Sequence, residues 1–273
     1  MGQENGRLGH SNYTSEPEGR CPVRLRRPRI AELPAALQPP ARFVRGLVKK
    51  SPYMYEGDGI ATWHYTPFLD DPEFQTRYAT VAHTWPGSDN RWRLWILTRS
   101  AIHCAPLDGS FAEFGVYRGG CTFMVLSECR PRSNRSFFLF DTFTGIPSSR
   151  LTDEEVSQGF AGRLSDVSMT EVRDRLAPWS DQVRFVAGDV FETLPKTETG
   201  PLAFAHLDMN ASAPSGLALE YVWSRLVPGG MIVFDDYGWV QYADQKKLID
   251  DFFEDKPDGL MALPTGQALS VKL

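Results

Sequence analysis

Three aspartates that follow apolar runs are the residues in this sequence best suited to chemistry. Asp235 and Asp236 stand side by side in "VFDDYGW", and Asp208 ends "LAFAHLD". Carboxylates that converge repel one another and are costly to bury unless a cation joins them. Oxygen ligands without His or Cys favour a hard ion such as Mg²⁺. The three residues are a candidate metal site; the alternative is that Asp235 and Asp236 cap the turn into the next helix.

A second group of acids and glycines follows other apolar runs: Glu113, Gly115 and Gly119 in "EFGVYRGG", Asp141 in "FLFDTF" and Asp189 in "FVAGD". The glycines do not form the GxGxxG fingerprint of dinucleotide sites. A carboxylate inside the loop disfavours a phosphate and suits an ammonium group. Asp141 lies 26 residues after Gly115, near the position of an acid that holds ribose hydroxyls. S-adenosylmethionine, a nucleoside with a cationic amino-acid tail, satisfies both requirements, although each residue alone also suits a turn or a cap.

Alternating strand and helix patterns would position these residues. The predicted strands cover 110–116, 136–143, 183–189, 202–208 and 231–237, and the predicted helices cover 120–130, 168–179, 214–226 and 242–255. This alternation predicts an α/β fold with a mostly parallel sheet and helices on both faces. A terminal hairpin over 260–273 adds an antiparallel strand. Ligands of such sheets bind at the carboxyl ends of the strands, where all the acids lie.

The region before residue 109 has a different composition. Residues 1–40 are rich in Gly, Pro, Ser, Arg and Glu, which predicts a disordered tail. Its basic run "RLRRPR" is either a solvated segment or a contact for nucleic acid or an acidic partner. Residues 41–108 are dense in aromatics and contain a helical pattern over 91–104, which predicts a helical cap. Residues 109–273 form the predicted domain that binds S-adenosylmethionine.

Composition excludes several classes of protein. The chain has 273 residues and a formal net charge of −5, so no global basic character points to nucleic acid or an anionic membrane. The sequence has neither a transmembrane-length apolar run nor the apolar core of a signal peptide, which predicts a cytoplasmic protein. The four cysteines lack metal-ligand spacing and are expected to be free thiols.

Five motifs, taken together and in order, resemble the macrocin O-methyltransferase family from about residue 52 to the end: "FAEFGVYRGG", "FLFDTFTGIP", "FVAGDVFETLP", "LDMN" and "LVPGGMIVFDDYGW". The resemblance implies a class I methyltransferase (Rossmann-like) fold with a seven-stranded sheet whose last strand is antiparallel. It also implies S-adenosylmethionine, a divalent cation and a homodimer or larger homo-oligomer. Many members carry "LDGD" where this chain has "LDMN", so that Asn210 replaces a second acid.

The resemblance also assigns roles to residues. Glu113 and Gly115 match the cofactor loop, Asp141 the ribose-binding acid and Asp189 the acid near the adenine amino group, while Asp208, Asp235 and Asp236 match the metal ligands. The full set of expected cofactor-binding residues is Glu113, Gly115, Tyr117, Gly119, Asp141, Thr142, Asp189 and Asp208.

The expected reaction is methylation of a hydroxyl on a small molecule, a sugar or glycosylated natural product. The cation would lower the pKa of the hydroxyl and orient its oxygen toward the sulfonium methyl. Asp208 and His64 are the candidate general bases. The alternative for His64 is that its ring packs among the aromatic residues of the cap. His206, two residues before Asp208, is interpreted as a core histidine whose hydrogen bonds are satisfied. Four aromatics either line the acceptor pocket or pack in a core or dimer interface: Tyr53, Tyr55, Trp63 and Tyr65.

Two other functions compete with this one. A nicotinamide-dependent oxidoreductase would share the fold class. Three features argue against it: the missing GxGxxG, the carboxylate of Glu113, and the aspartates at the ends of the later strands. A non-catalytic protein that binds S-adenosylmethionine would not need to retain all the acids. Gln267 and Trp239 are further candidates to face the site.

Overall fold

A seven-stranded sheet forms the centre of the molecule. The computed structural model describes residues 55–129, 131 and 134–273, so the predicted tail over 1–40 lies outside it. The strands are β1 (Tyr55–Gly57), β2 (Ile60–Thr62), β3 (Ser110–Phe114), β4 (Phe137–Asp141), β5 (Val183–Ala187), β6 (Leu202–Leu207), β7 (Leu226–Phe234), β8 (Met261–Ala262) and β9 (Ala268–Val271). Their order in the sheet is β5-β4-β3-β6-β7-β9-β8, and β1 pairs with β2 in a separate hairpin.

The first five strands of this order are parallel, and β9 runs antiparallel to both β7 and β8. The predicted mostly parallel sheet, with its antiparallel last strand and terminal hairpin, is therefore confirmed. The chain proceeds from β3 outward through β4 and β5, then returns to β6 on the other side of β3. The junction of β3 and β6 is thus the switch point at which sheets of this kind bind ligands.

Eight helices connect these strands within the described residues: α1 (Pro72–Val81), α2 (Arg91–Cys104), α3 (Gly120–Cys129), α4 (Asp153–Ser157), α5 (Met169–Arg175), α6 (Val190–Thr193), α7 (Ser212–Arg225) and α8 (Ala243–Phe253). None of them is long and apolar enough to cross a lipid bilayer. The helix predicted over 168–179 ends earlier, at Arg175, and a 3₁₀ turn that includes Pro178 follows. Proline removes a backbone donor and so stops the regular helix.

The sheet is covered on both faces, as its composition predicts. All six residues of β6 are buried, and two separate apolar clusters lie against the sheet. Parallel strands covered on both sides consist mostly of apolar residues. Two polar side chains break this rule at the switch point, where Glu113 in β3 pairs in register with His206 in β6. Buried polar groups require partners, and these two residues lie beside each other.

The predicted cap over 41–108 is described from residue 55 onward, and this part is only partly helical. Helix α2 matches the pattern predicted over 91–104 and packs Leu94 and Leu97 into the same core as β3. The β1–β2 hairpin was not predicted. Its turn contains Asp58 and Gly59, both with positive φ, and the Asp-Gly pair is a common signal for such a turn. The boundary at residues 108 and 109 stays a prediction.

Strand β7 also begins earlier than the sequence suggests. It starts at Leu226 instead of residue 231 and includes "VPGG", and its register with β6 shifts between Leu202 and Phe204. Proline and paired glycines indicate a turn in sequence. An irregularity in the pairing accommodates them at the amino end of the strand, away from the acidic residues.

Gly115, directly after β3, permits the close approach of β3 to the chain that follows β6. Its φ is +87°, and a Cβ at this position would collide with the carbonyl oxygen of Asp208. The close contact is therefore with the protein's own backbone.

We expect Gly115→Ala to lower the free energy of unfolding by more than about 3 kcal/mol, because the positive φ and the collision add together. Gly159→Ala is the matched control, since Gly159 also has a positive φ (+76°) but has no atom within 4 Å of a Cβ. Its loss should be about 1–2 kcal/mol, the cost of the left-handed conformation alone. Denaturant unfolding measures both values, and equal losses would contradict the collision.

Candidate active site

A cavity of about 360 Å³ opens at the carboxyl ends of the strands, beside the switch point. It brings together nine of the residues predicted from the sequence, Glu113, Gly115, Tyr117, Asp141, Thr142, Asp189, Asp208, Asp235 and Asp236. Gly119 is not in its wall, because that glycine packs against Val172 instead. His64 is exposed and does not line the cavity. The cavity is therefore formed by the loops that follow β3, β4, β5, β6 and β7, together with α2 and the segment before it.

Asp141 shapes the loop after β3. One carboxylate oxygen accepts hydrogen bonds from the backbone N–H groups of Val116 and Tyr117, at 2.7 and 2.8 Å, and the other accepts from Phe143 N–H at 2.7 Å. Tyr117 and Phe143 both have positive φ, so these bonds hold a strained conformation. An ionised carboxylate has about four acceptor positions. About one remains for a hydroxyl of a ligand in the cavity.

Asp189 is the N-cap of α6. Its Oδ1 accepts from Phe191 N–H at 3.0 Å, and its Oδ2 accepts from Arg150 Nε at 2.6 Å. The Arg150 guanidinium also stacks 4.3 Å from the centre of the Phe191 ring. Asp189 and Arg150 both line the cavity. Sequence analysis missed Arg150, which lies in the β4–β5 connection and has no strand-end pattern.

The acidic edge contains four carboxylates and one arginine. Asp208, Asp235 and Asp236 follow neighbouring strands, and Asp58 reaches them from the β1–β2 turn. Arg93, on α2, donates from Nε to Asp58 at 2.6 Å and from Nη1 to Asp235 and, at 3.2 Å, to Asp236. The cation that the converging acids require is thus supplied in part by the protein itself. No sequence pattern identifies Arg93, which precedes Asp235 by 142 residues.

Neutral donors complete the contacts of the acids. Asn210 Nδ2 donates to Asp236 and, at 3.3 Å, to Asp208. Gln267, fully buried in the β8–β9 connection, donates from Nε2 to Asp235 Oδ1 at 2.8 Å. Gln267 was a candidate from the sequence. Asn210 stands where many members of the resembled family carry an acid, and here its amide places a donor between two carboxylates.

Burial and mutual repulsion separate the pKa values of the three aspartates. Burial and the charge of Asp235 raise the pKa of Asp236 to about 7, against the opposing effect of Arg93. Burial and the charges of Asp235 and Asp236 raise the pKa of Asp208 well above its usual value. Burial would also raise the pKa of Asp235, but Arg93, His206 and Gln267 outweigh it and hold that pKa below its usual value. Asp235 is therefore the member of the group whose negative charge is most strongly favoured by its surroundings.

Glu113 and His206 form a buried pair under the acids. His206 Nδ1 lies 3.0 Å from Glu113 Oε1, and Thr122 donates its hydroxyl to the other oxygen of Glu113. Burial opposes protonation of the imidazole, but the carboxylates of Asp235 and Glu113 outweigh it and raise the pKa of His206 to about 10. Both oxygens of Glu113 have partners in the protein, so its predicted contact with a cofactor ammonium group stays a prediction.

The donor set suits a divalent cation. Ligand atoms of His206, Asp208 and Asp235 lie within 4.8 Å of one another. Asp236, predicted as the third carboxylate ligand, is not in this group and contacts Arg93 and Asn210. A second group in the described part of the chain consists of Glu113, Cys121 and His206.

The aromatic candidates that the structure describes do not line the cavity. Tyr55 is buried, donates its hydroxyl to the backbone oxygen of Asp89 at 2.6 Å and packs edge-on against Phe68. Trp63 and Tyr65 are exposed, and Tyr53 lies outside the described residues. Trp239 lies 5.7 Å from the Arg93 guanidinium and packs beside it.

We expect Arg93→Leu to lower the free energy of unfolding by about 3–5 kcal/mol, because it leaves buried carboxylates without their cation. Arg99→Leu is the matched control on the same helix. Arg99 pairs with Glu128, but Glu128 keeps Arg77 as a second partner, so the loss should be below about 1 kcal/mol. Denaturant unfolding in EDTA compares the two variants, and similar losses would show that Arg93 does not stabilise the acidic edge.

Solved structures share this fold. The O-methyltransferase NovP has a TM-score of 0.59 at 23% identity, over 66% of this chain and 79% of that one. The calicheamicin methyltransferase CalS11 has a TM-score of 0.58 at 18% identity, over 94% of this chain and 99% of that one. At these identities the likeness establishes the class I methyltransferase fold.

Sequence relatives are natural-product methyltransferases. The 8-demethyl-8-(2,3-dimethoxy-alpha-L-rhamnosyl)-tetracenomycin-C 4'-O-methyltransferase of Streptomyces olivaceus is 31% identical over 67% of this chain and 74% of its own length. The mycinamicin III 3''-O-methyltransferase of Micromonospora griseorubida is 28% identical over 65% of this chain and 76% of its own length. A sequence profile described as Macrocin-O-methyltransferase (TylF) matches residues 76–257. With its fold and its motifs, the chain belongs to the macrocin O-methyltransferase family and is a methyltransferase.

Proposed function

We propose that the protein transfers the methyl group of S-adenosylmethionine to a hydroxyl on the sugar of a glycosylated natural product, with help from a divalent cation. The observation that carries this proposal is the meeting of Asp208, Asp235 and Asp236 in the wall of one cavity at the switch point of the sheet. The names of the relatives support a sugar hydroxyl as acceptor, since they describe methylation at the 4' and 3'' positions.

The cofactor would occupy the part of the cavity formed by the loops after β3, β4 and β5. Asp141 has about one free acceptor position for a ribose hydroxyl. Tyr117 and Thr142 lie in the same wall, and Asp189 lies beyond them with Arg150. The sulfonium methyl would then face the acidic edge after β6 and β7. A nicotinamide cofactor has no comparable support, because its pyrophosphate would meet acids instead of the glycine-rich loop that it requires.

The acceptor hydroxyl would lie between the methyl group and the acids. Asp208 would accept the hydroxyl proton, since it lines the cavity and Arg93 is bound to the other two aspartates instead. Asp208 and Asp235 would hold a divalent cation, which would supply positive charge that lowers the pKa of the acceptor hydroxyl. Arg93 and Gln267 hold Asp235 in position. In-line alignment of the acceptor oxygen, the methyl carbon and the sulfur would supply the rest of the rate acceleration.

His64 is the second candidate base from the sequence. Its side chain is exposed and lies outside the cavity wall, so Asp208 is the base in this proposal. Assembly into a homo-oligomer and a cytoplasmic location remain predictions from the sequence.

Asp208→Asn should lower kcat/KM for methyl transfer by about 10²–10⁴-fold, because it removes the proton acceptor. Binding of S-adenosylhomocysteine should change little. The measurement is transfer of a labelled methyl group to a panel of rhamnosyl and other glycosides, with Asp251→Asn on the exposed face of α8 as control. Full activity in Asp208→Asn would refute this role.

Asp141→Asn should weaken the binding of S-adenosylhomocysteine about 10- to 100-fold, because a hydrogen bond to a charged acceptor contributes about 1.5–3 kcal/mol. Calorimetric titration measures this, with Asp174→Asn on exposed α5 as control. Wild-type protein should not bind NADH. Binding of NADH without binding of S-adenosylhomocysteine would overturn the proposed function.

A further inference from the structure

Four arginines line the cavity, and three of them are paired with carboxylates. The paired arginines are Arg93, with the acids of the acidic edge, Arg118, with Asp166, and Arg150, with Asp189. Arg163 is the fourth. It forms no ion pair with a carboxylate of the described residues, and it is exposed to solvent. A guanidinium in a cavity wall without an anionic partner can bind an anionic group of a ligand.

The chain around Arg163 is fixed by its neighbours. Arg163 lies in the β4–β5 connection, where its carbonyl oxygen accepts from Ile146 N–H at 3.0 Å, and the Ile146 carbonyl accepts from Gly162 N–H at 2.9 Å. The guanidinium lies 4.9 Å from the centre of the Phe160 ring, which is buried. An arginine stacked on a fixed ring loses less conformational freedom when it binds a ligand than an unrestrained arginine does.

The residue after Arg163 has a strained backbone. Leu164 has a φ of +59°, which is uncommon for a residue with a bulky side chain. Both Arg163 and Leu164 line the cavity. Costly backbone conformations persist only where the surrounding structure holds them, and they cluster at ligand-binding sites. The strained turn therefore marks residues 163 and 164 as candidates for contact with a ligand.

The same connection is attached to the helices that follow the acidic edge. The carboxylate of Glu155 accepts from Ser212 N–H at 2.7 Å, at the start of α7. The hydroxyl of Thr152 donates to Asp244 at 2.9 Å, near the start of α8. Helices α7 and α8 come after β6 and β7, whose ends carry the three aspartates. The connection therefore contributes to the acceptor side of the cavity as well as to the cofactor side.

Tyr242 links Arg163 electrostatically to the acids. It is buried, lines the cavity and packs with its ring centre 5.3 Å from that of Phe160. Burial and the charge of Asp236 raise the pKa of Tyr242, and the charge of Arg163 opposes this rise. The phenol thus lies within electrostatic range of both Arg163 and Asp236. An acceptor whose hydroxyl reaches the acids would have Arg163 within the same part of the cavity.

We propose that Arg163 binds an anionic group of the acceptor, a carboxylate or a phosphate, and so makes the enzyme select negatively charged sugars over neutral ones. This inference rests on the proposed methylation of a sugar hydroxyl and adds the charge of the acceptor. The aspartates of the cavity repel an anion, so its binding requires a cation that they have not already paired. Arginine meets this need because it donates two parallel hydrogen bonds to either group.

The first test measures the binding of matched sugars by calorimetry in the presence of S-adenosylhomocysteine. One pair is phenyl glucuronide and phenyl glucoside, and the other is thymidine diphosphate rhamnose and methyl rhamnoside. In at least one pair the charged sugar should bind about tenfold or more tightly, and added salt should reduce this preference because Arg163 is exposed. The pair that shows the preference identifies the group as a carboxylate or a phosphate. Equal affinities within both pairs would overturn the proposal.

The second test uses variants that leave the core unchanged. Arg163→Gln should weaken binding of the charged sugar about tenfold and that of the neutral sugar much less, and Arg163→Lys should keep part of the preference because it keeps the charge. Arg173→Gln is the matched control, since Arg173 is also exposed and lies 4.4 Å from the centre of a phenylalanine ring, that of Phe185, but outside the cavity wall. An undiminished preference in Arg163→Gln, or the same loss in Arg173→Gln, would contradict the role of Arg163.

Titration with S-adenosylhomocysteine alone separates this proposal from the proposed function. Cofactor binding together with equal affinity for charged and neutral sugars would leave the methyltransferase proposal intact and reject the role of Arg163. A preference for charged sugars that depends on Arg163, in a protein that does not bind the cofactor, would retain this subsite and reject the proposed reaction.

Discussion

The burial of several carboxylates at one edge of the sheet is the constraint on which the rest of the site depends. Asp208, Asp235 and Asp236 would repel one another if they stood alone. Arg93 supplies a positive charge to Asp235 and Asp236, while Gln267 and Asn210 supply neutral donors. Buried charges are tolerated only when such partners accompany them. The cap, the final hairpin and the chain after β6 therefore each supply a partner that offsets the repulsion among the buried aspartates.

This constraint gives the cap a structural role in the site. Arg93 lies on α2, whose apolar face packs in the core beside β3. The same helix thus fixes the guanidinium against the acids, and Asp58 holds its Nε from the β1–β2 turn. The aromatic cluster around Phe68 and Trp92 secures the cap through edge-to-face contacts. Packing contacts outside the cavity therefore hold the positively charged guanidinium of Arg93 beside the aspartates in the cavity wall.

The carboxylates were predictable from the sequence because each follows an apolar run, and parallel strands present their carboxyl ends at one edge of the sheet. The order of strands and helices followed from the same local patterns. Arg93 and Asp58 were not predictable, because their contacts join residues 142 and 35 positions apart through the tertiary structure. The buried pair of His206 and Glu113 was not predictable either, because the two residues become neighbours only through the register of β3 and β6.

The central claim is that the acidic edge binds a divalent cation next to the methyl donor. A crystal structure with S-adenosylhomocysteine and Mn²⁺, with anomalous scattering used to locate the ion, tests it most directly. We predict an anomalous peak within bonding distance of Asp208 and Asp235, with the sulfur of the cofactor in the same cavity. Bound cofactor with Arg93 still on Asp235 and no anomalous peak at the acids would contradict the account.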